Sequence, residues 1–505
     1  MGFLKNKKIG ILLSYIFFAL SAVIGIFISS FAIKSVGNDD YGVYQSMIAF
    51  VEYLVLLEFG IGTIMSRNIS ILKKDGTEEE KIRRNIATLW TLTLFLAFLL
   101  SVFSFFFYLA IPHIYSRSMS EEQILLGKRI FIFAAISLIC TFGQQSLNGI
   151  IIGNEFYSFE KLVAIIKLII RTIFVILFLT ISKQVWFIAI IDATMSFALL
   201  LISYVFIKTK IKYGYNIRFF DIKILKSVLP LCFALFLQAI VNTVNGSVDK
   251  FLISIMMKPE DVTIYSIVMA MYSMFSSIAT IPISIFMPQI AKSISEGRKG
   301  RNLTDTLIQP CRLSILITGL VAFGFLSVGK QFIYLVYGAD FSAVWLCSIV
   351  IIFPIFFDMS NGVIINVVTV LNKQHIRSIL LMLTTSLNIV LTIFGIKVLG
   401  LLGAAASTGI AISIQFFLMN FFYHKVIDIS IVHLFKRAFS GILVPLLISS
   451  LLSFVTGLFI KNNFVSFFLC GFIFLLFFSL FFLIWGTNDY EKDFLKRLFG
   501  RLMQK

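Results

Sequence analysis

Charged residues are scarce in this sequence, and their scarcity argues against a soluble globular protein. Only 13% of the 505 residues are Asp, Glu, Lys or Arg, whereas 59% are hydrophobic. Soluble globular domains carry about a quarter charged residues. The few charges cluster between long apolar runs, which is the pattern of a chain that crosses a membrane many times. The composition therefore predicts an all-α integral membrane protein.

Cysteine is also rare, and the usual catalytic signatures are missing. The five cysteines lie within or beside apolar runs and form no Cys-x-x-Cys pair, which argues against a disulfide framework or a zinc site. The sequence contains no phosphate-binding glycine loop, metal-ligand cluster or catalytic triad. The predicted outer loops are too short for a catalytic domain. We therefore expect no enzymatic activity, no metal and no cofactor.

About fourteen apolar runs are long enough to span a bilayer at about 1.5 Å of rise per residue. The first run is too long for the apolar core of a cleavable signal peptide, so we interpret it as a span. The predicted spans are 9–33, 41–66, 86–111, 130–152, 163–181, 185–207, 227–257, 262–291, 312–336, 343–371, 376–399, 403–423, 438–460 and 464–485.

The net charge of +18 could indicate a nucleic-acid partner, but the positions of the charges argue against one. Most Lys and Arg residues lie in alternate loops, as the positive-inside rule requires of a membrane protein. This asymmetry predicts cytoplasmic N- and C-termini and no nucleic-acid binding.

A weak internal repeat indicates two halves. The residues Asp-Tyr-Gly-Val-Tyr at 40–44 are echoed by Asp-Val-Thr-Ile-Tyr at 261–265, and each echo leads to a basic loop. An even number of spans separates the echoes, so the two copies should be parallel repeats. We predict an N-terminal six-helix lobe at 1–220 and a C-terminal six-helix lobe at 221–437. Two additional helices and a basic cytoplasmic tail would follow at 438–505.

The start of the chain carries a loose motif. Residues 37–44 read Gly-x-x-x-Tyr-Gly-x-Tyr, and residues 58–62 read Glu-Phe-Gly-Ile-Gly before Arg67. This pattern, with the hydropathy layout of the whole chain, resembles the polysaccharide-biosynthesis flippases. These are bacterial exporters of lipid-linked sugar repeat units, including O-antigen units, and are relatives of the multidrug and toxin extrusion (MATE) antiporters in the MOP superfamily.

The resemblance implies several properties beyond the residues themselves. It implies a MATE-like fold with two extra C-terminal helices and a location in the bacterial inner (plasma) membrane. The implied substrate is an oligosaccharide repeat unit linked to undecaprenyl pyrophosphate. Membrane lipids and the polysaccharide polymerase and export machinery would be its partners.

Two cations lie inside the predicted fifth span. Lys167 and Arg171 are four residues apart and share one helical face. One interpretation is a docking point for the pyrophosphate of the lipid-linked sugar, because Arg offers a planar fork to phosphate oxygens and Lys a point charge. The alternatives are an ion pair with an acid on a neighbouring helix, or snorkelling towards the headgroups.

The predicted seventh span carries a polar stripe. Gln238, Asn242, Asn245 and Asp249 recur at i, i+4, i+7 and i+11, which places them on one face, with Lys250 about 100° away. The stripe could bind sugar hydroxyls in a wet cavity. The alternative is hydrogen bonding between helices of the bundle.

Four acids form a third set of candidates: Glu52, Glu58, Asp192 and Asp358. Ionisable groups inside a span are costly and usually face a partner or water. These acids are therefore candidate counter-ions to Arg171 and Lys167, or sites where H⁺ or Na⁺ binding drives transport.

Together these features predict a flippase that moves the lipid-linked oligosaccharide by alternating access, with the cations in one lobe and the polar stripe in the other lining a cavity. The alternative is a cation-coupled multidrug antiporter of the MATE type. The cavity of such an antiporter should be acidic, because its substrates are mostly cationic.

Overall fold

The computed structural model describes residues 5–74, 79–213, 217–488 and 491–492. Regular structure in these ranges is helical, and no strand occurs in them. The all-α prediction is therefore confirmed. Contacts divide the chain into two compact units, Met1–Ser266 and Ile267–Lys505. The predicted lobe limits at 220 and 437 depend on the internal repeat and not on contacts, so they stay a prediction.

Many of the helices are suited to a bilayer. In the described ranges, eleven are long and apolar enough to cross a membrane, or twelve if the bent pair Ile431–Ala438 and Leu443–Phe459 is one span. The helix Gln374–Ile427 contains a non-helical residue, Gly400, with a φ of 59°. The predicted spans 376–399 and 403–423 lie on either side of it. The chain is thus a multi-pass membrane protein, while the number fourteen stays a prediction.

The first unit is a bundle around one helix. Its helices are α1 Lys7–Val36, α2 Asn38–Leu54, α3 Ile61–Lys74, α4 Glu79–Tyr115, α5 Glu121–Gly153, α6 Tyr157–Ser182, α7 Trp186–Phe206 and α8 Ile222–Met256. Helix α5 packs against α2, α3, α4 and α7, whereas α1 packs along α6 and α8 lies against α2 and α4. Helix α5 therefore determines the positions of most of its neighbours.

Small residues allow α3 and α5 to approach closely. A Cβ atom on Gly149 would contact the backbone oxygen of Gly62 and lie 2.8 Å from the Cβ of Met65. A Cβ on Gly153, one turn later, would lie 2.9 Å from the Cβ of Ile69. Two glycines four residues apart form the small-x-x-x-small pattern that brings membrane helices into backbone contact. This contact fixes the height and rotation of α5 against α3.

The span predicted at 41–66 is present but broken. Helix α2 ends at Leu54, a short 3₁₀ turn covers Val55–Glu58, and α3 begins at Ile61. Between them Phe59 and Gly60 adopt left-handed φ angles of 53° and 65°. Non-helical backbone at membrane depth requires polar or aqueous surroundings, because its free N–H and C=O groups need partners. The break therefore indicates a wet region beside Glu58.

The second unit is organised around a long buried helix. Its helices are the greater part of α9 Pro259–Ser295, then α10 Gly300–Val336, α11 Ser342–Ser360, α12 Ile364–Val370, α13 Gln374–Ile427, α14 Ile431–Ala438, α15 Leu443–Phe459 and α16 Asn463–Phe481. Helix α10 packs against α11, α14, α15 and α16, and α11 packs against α13. The buried hydroxyl of Thr318 on α10 donates to the Ser314 carbonyl at 2.6 Å, so this hydroxyl is satisfied within its own helix.

Candidate functional site

A cavity of about 530 Å³ lies inside the first unit, among α1, α2, α5, α6 and α7. Aromatic and aliphatic side chains form much of its wall, including Phe17 and Phe159. Its ionisable lining residues are Glu160, Lys167, Arg171 and Asp192. The two cations predicted to share a face of the fifth span thus line the same cavity.

Arg171 forms a two-point ion pair with Asp192 on α7. Its Nε donates to Oδ1 of Asp192, and its Nη2 donates to Oδ2 at 3.0 Å. The two side chains are 25% and 24% exposed. The hydroxyl of Tyr44, from the Tyr-Gly-x-Tyr motif, lies beside the same carboxylate. The described hydrogen bonds of Arg171 use two of its five guanidinium N–H groups, both on Asp192.

Lys167 has a different environment from Arg171. Its Nζ donates to the Ser196 hydroxyl at 3.4 Å, and it forms no ion pair with a described carboxylate. The Ser196 hydroxyl also accepts from Thr141 Oγ1 at 3.1 Å and shares a 3.1 Å hydrogen bond with Ser137 Oγ. Lys167 therefore places an ammonium group beside a cluster of hydroxyls that connects α5 to α7.

A row of polar side chains on α5 forms another part of the wall of the 530 Å³ cavity. This row was not predicted from the sequence. Ser137, Thr141, Gln144 and Asn148 all line the cavity. Their spacing of i, i+4, i+7 and i+11 places them on one helical face, and the predicted seventh-span stripe has the same spacing. The same rule could have found this row. Hydroxyl and amide residues are common where membrane helices bond to one another, which made the row inconspicuous.

The charges of the lining are only partly balanced by one another. Arg171 is neutralised by Asp192, and Glu160 pairs with Lys161 at 3.1 Å. Lys167 forms no close ion pair with a described carboxylate, although Asp192 also interacts with it electrostatically. The cavity thus offers an ammonium group outside any close ion pair, several hydroxyl and amide groups, and an aromatic wall, which suits a ligand that is anionic and rich in hydroxyls.

The seventh-span stripe lies on α8, and the structure places part of it. The side chains of Gln238, Asn242 and Asn245 lie outside the described residues. The carboxylate of Asp249 is buried and accepts a hydrogen bond from the Tyr265 hydroxyl at 3.2 Å. Asp249 does not line the 530 Å³ cavity. A role for the stripe in substrate binding stays a prediction.

Lys250 and Glu52 are brought together by the packing of α8 on α2. The Lys250 ammonium lies 3.7 Å from the Glu52 carboxylate. The lysine side chain is 9% exposed and that of Glu52 is 40% exposed. A lysine this deeply buried needs a counter-charge, and Glu52 provides it. Neither residue lines the 530 Å³ cavity.

Glu58 lies in a second cavity, of about 520 Å³, at the break between α2 and α3. The side-chain amide of Gln145, oriented with its nitrogen towards the carboxylate, donates to Glu58. Arg67, from the sequence motif, lines the same cavity, and Asn148 lines both cavities. The broken helix therefore borders a polar space, as its backbone requires.

Asp358 belongs to the second unit. Its carboxylate accepts a hydrogen bond from Gln415 Nε2 at 3.0 Å, and the nearby Asn361 donates to Asn420 at 2.7 Å. Both bonds connect the α11 region to α13. In the described part of the chain, no group of three or more His, Cys, Asp or Glu side chains could hold a metal ion.

Comparisons with known proteins identify the family and the fold. A sequence family described as polysaccharide biosynthesis protein matches residues 5–294. The solved structure of the lipid II flippase MurJ, in an inward closed conformation, superposes with a TM-score of 0.76 at 19% identity. That match covers 94% of this chain and 99% of the flippase.

Transporters of the MATE type have the same fold. An inward-facing multidrug resistance MATE family transporter of the MOP superfamily gives a TM-score of 0.62 at 14% identity, covering 83% of this chain and 96% of that one. A point mutant of the Vibrio cholerae MATE transporter VcmN gives 0.53 at 13% identity with the same coverage. No curated protein sequence matches this chain. The MATE-like fold that the sequence analysis expected is therefore confirmed.

Proposed function

Since this chain belongs to the polysaccharide biosynthesis protein family, we propose that it is a flippase for a lipid-linked oligosaccharide in the bacterial inner membrane. The substrate would be a sugar repeat unit on undecaprenyl pyrophosphate, used for surface polysaccharide assembly. A fold shared with the lipid II flippase MurJ supports this proposal. Such a head group cannot cross hydrocarbon unaided, because its charges and hydroxyls would lose their hydration.

The observation that carries the proposal is the ammonium group of Lys167 in the 530 Å³ cavity. Its described hydrogen bond goes to the Ser196 hydroxyl at 3.4 Å, and the Asp192 carboxylate near it is already engaged by Arg171. A half-buried cation of this kind gains most from an anion that arrives with the substrate. Pyrophosphate oxygens would bind Lys167 Nζ and the remaining N–H groups of Arg171, which Asp192 holds in a fixed orientation.

The sugars would occupy the polar wall of α5. Ser137, Thr141, Gln144 and Asn148 supply donors and acceptors along one face, and Phe17 and Phe159 supply apolar surfaces for sugar rings. The lipid tail would stay in the bilayer while the head group moves. Alternating access, with the cavity open first to one side and then to the other, would carry the head across.

Energy for turnover would come from the binding of H⁺ or Na⁺ at acids inside the membrane. Glu52, Glu58, Asp192 and Asp358 are the candidate coupling groups. Glu58 is of particular interest because it borders a cavity of its own at a helix break. We propose no enzymatic step. The polysaccharide polymerase and export machinery would receive the product on the outer side, and both termini would lie in the cytoplasm.

A drug antiporter is the second candidate, because MATE transporters share the fold. A cavity for cationic drugs should carry a net negative charge, whereas the ionisable lining of this one consists of two cations and two carboxylates. Ethidium efflux in a strain that lacks its own pumps tests this candidate. Efflux that rises with expression of the chain would support it.

The proposed flippase function can be tested in a strain from which the gene has been deleted. We expect lipid-linked repeat units to accumulate on the cytosolic leaflet and surface polysaccharide to disappear, with both restored by the wild-type chain. Lys167→Gln should restore less than about a tenth of export at normal protein level, because one charge-assisted hydrogen bond contributes about 1.5–3 kcal/mol. Lys183→Gln, at the other end of α6, is the matched control and should restore export fully. Full rescue by Lys167→Gln would contradict the proposed site.

A further inference from the structure

A third polar cavity lies inside the second unit. Its volume is about 480 Å³, and it is formed by the start of α10, helix α14, and the segment that follows α16. Its charged and aromatic lining residues are Arg301, Asp305, Arg312, His433, Arg437 and Trp485. Three arginines in one cavity give it a strongly basic character.

Arg312 is the fixed part of this cavity. It is 3% exposed, and its Nε donates to Glu491 Oε1 at 2.6 Å while its Nη2 donates to Oε2 at 3.1 Å. It also donates to the carbonyl oxygens of Ser440 and Gly486. Arg312 therefore ties three segments together, so the cavity has a rigid floor. Its charge is neutralised by Glu491.

Arg301 and Arg437 are the cations of this cavity that could bind an anion. Both are exposed at the cavity, and neither forms an ion pair with a described carboxylate. The acid of the lining, Asp305, is already hydrogen-bonded to His433 Nε2 at 2.9 Å. The groups left to bind an anion are thus the guanidinium groups of these two arginines. Each has a planar fork of N–H donors that matches phosphate oxygens.

The residues at the rim of the cavity are typical of the depth of the lipid headgroups. Trp485 is 62% exposed and stacks on Phe481 at the end of the apolar helix α16. Ile484 beside it is 66% exposed, as expected of a side chain that faces lipid. Tryptophan at the end of a span marks the membrane–water interface. The short helix α14 has a buried Leu434 and an exposed Arg437, which is the amphipathic pattern of a helix that lies along such an interface.

We propose that this cavity binds the phosphate group of an anionic membrane phospholipid, with Arg301 and Arg437 as its ligands. A headgroup is favoured over free phosphate because Trp485 and Ile484 bring acyl chains to the rim of the cavity. A basic pocket between membrane helices is a known way of recognising anionic headgroups. The site is separate from the proposed flippase cavity, so either proposal can fail without the other.

The test measures lipid binding to the full-length protein in detergent by native mass spectrometry. We expect phosphatidylglycerol to bind wild type more tightly than phosphatidylcholine does. Arg301→Gln with Arg437→Gln should weaken phosphatidylglycerol binding by on the order of 30-fold, taking the contribution of two cations near an anionic surface. Arg301→Lys with Arg437→Lys should keep most of the binding.

The matched control removes two cations of the same unit that do not line the cavity, with Lys292→Gln and Arg298→Gln. It should bind phosphatidylglycerol as wild type does. Equal affinity of the Arg301→Gln/Arg437→Gln variant and wild type would overturn the proposal, and so would equal binding of the two lipids. Full displacement of the lipid by millimolar inorganic phosphate would overturn it in favour of a site for free phosphate.

A second measurement needs no change at the arginines. The fluorescence of Trp485, taken as the difference between wild type and Trp485→Phe, should be quenched more strongly by brominated phosphatidylglycerol than by brominated phosphatidylcholine. Equal quenching by the two lipids would also overturn the proposal.

Discussion

Variants of the ion pair between Arg171 and Asp192 can distinguish a role of Arg171 in substrate binding from a purely structural role. In either case Arg171→Ala should reduce export, because it removes a cation and leaves Asp192 without its partner. The informative perturbation is the double variant Arg171→Ala/Asp192→Ala, which removes both charges. If the pair only holds α6 to α7, the double variant should regain much of the lost export. If Arg171 also binds pyrophosphate, the double variant should not regain export.

The expected stability changes follow from the exposure of the pair. Leaving one member of a fully buried pair alone costs about 3–5 kcal/mol, whereas an exposed pair contributes about 0–1 kcal/mol. Each side chain here is about one quarter exposed. We therefore expect either single alanine variant to lose about 2 kcal/mol of stability, and the double variant to lose less than either of them, because it leaves no charge unpaired.

The assay combines thermal unfolding of purified protein with export in the deletion strain, at matched protein levels. We expect the double variant to unfold at a higher temperature than either single variant and yet to export as poorly as Arg171→Ala. Asp192→Asn, which keeps the shape of the acid, should preserve part of the export. Wild-type export by the double variant would refute the role of Arg171 in substrate binding and leave it a structural residue.

Three further predictions concern other contacts, each measured by thermal unfolding of purified variants. Glu52→Gln should destabilise the first unit by about 1–3 kcal/mol because it leaves Lys250 buried without a counter-charge, and a wild-type unfolding temperature would contradict this pairing. Gly149→Val should cost about 1–3 kcal/mol or prevent folding, since its side chain would overlap α3, whereas Gly471→Ala, with no heavy atom near its position, should be neutral. Arg312→Met should cost about 3–5 kcal/mol by leaving Glu491 unpaired; a loss below about 1 kcal/mol would show that this pair does not hold the second unit together.

Much of the fold followed from the sequence alone. The helical membrane class followed from hydropathy, because a bilayer requires about twenty apolar residues for each span wherever the helix stands in the bundle. The shared face of Lys167 and Arg171 followed from helical periodicity, which depends only on the spacing within one element. The break at Phe59 and Gly60 did not follow, because the run 41–66 is apolar over most of its length and Gly60 is an ordinary residue in membrane helices.

The tertiary structure alone decided which charges are partners. Four acids were candidate counter-ions of Arg171, and only packing of α6 beside α7 selects Asp192, just as packing of α8 on α2 joins Lys250 to Glu52. Periodicity tells which residues share a face but not which helix that face meets. The same limit applies to the hydroxyl cluster around Ser196, whose members come from two helices. Spacing along a chain is a local property, whereas a cavity is made by the mutual arrangement of helices.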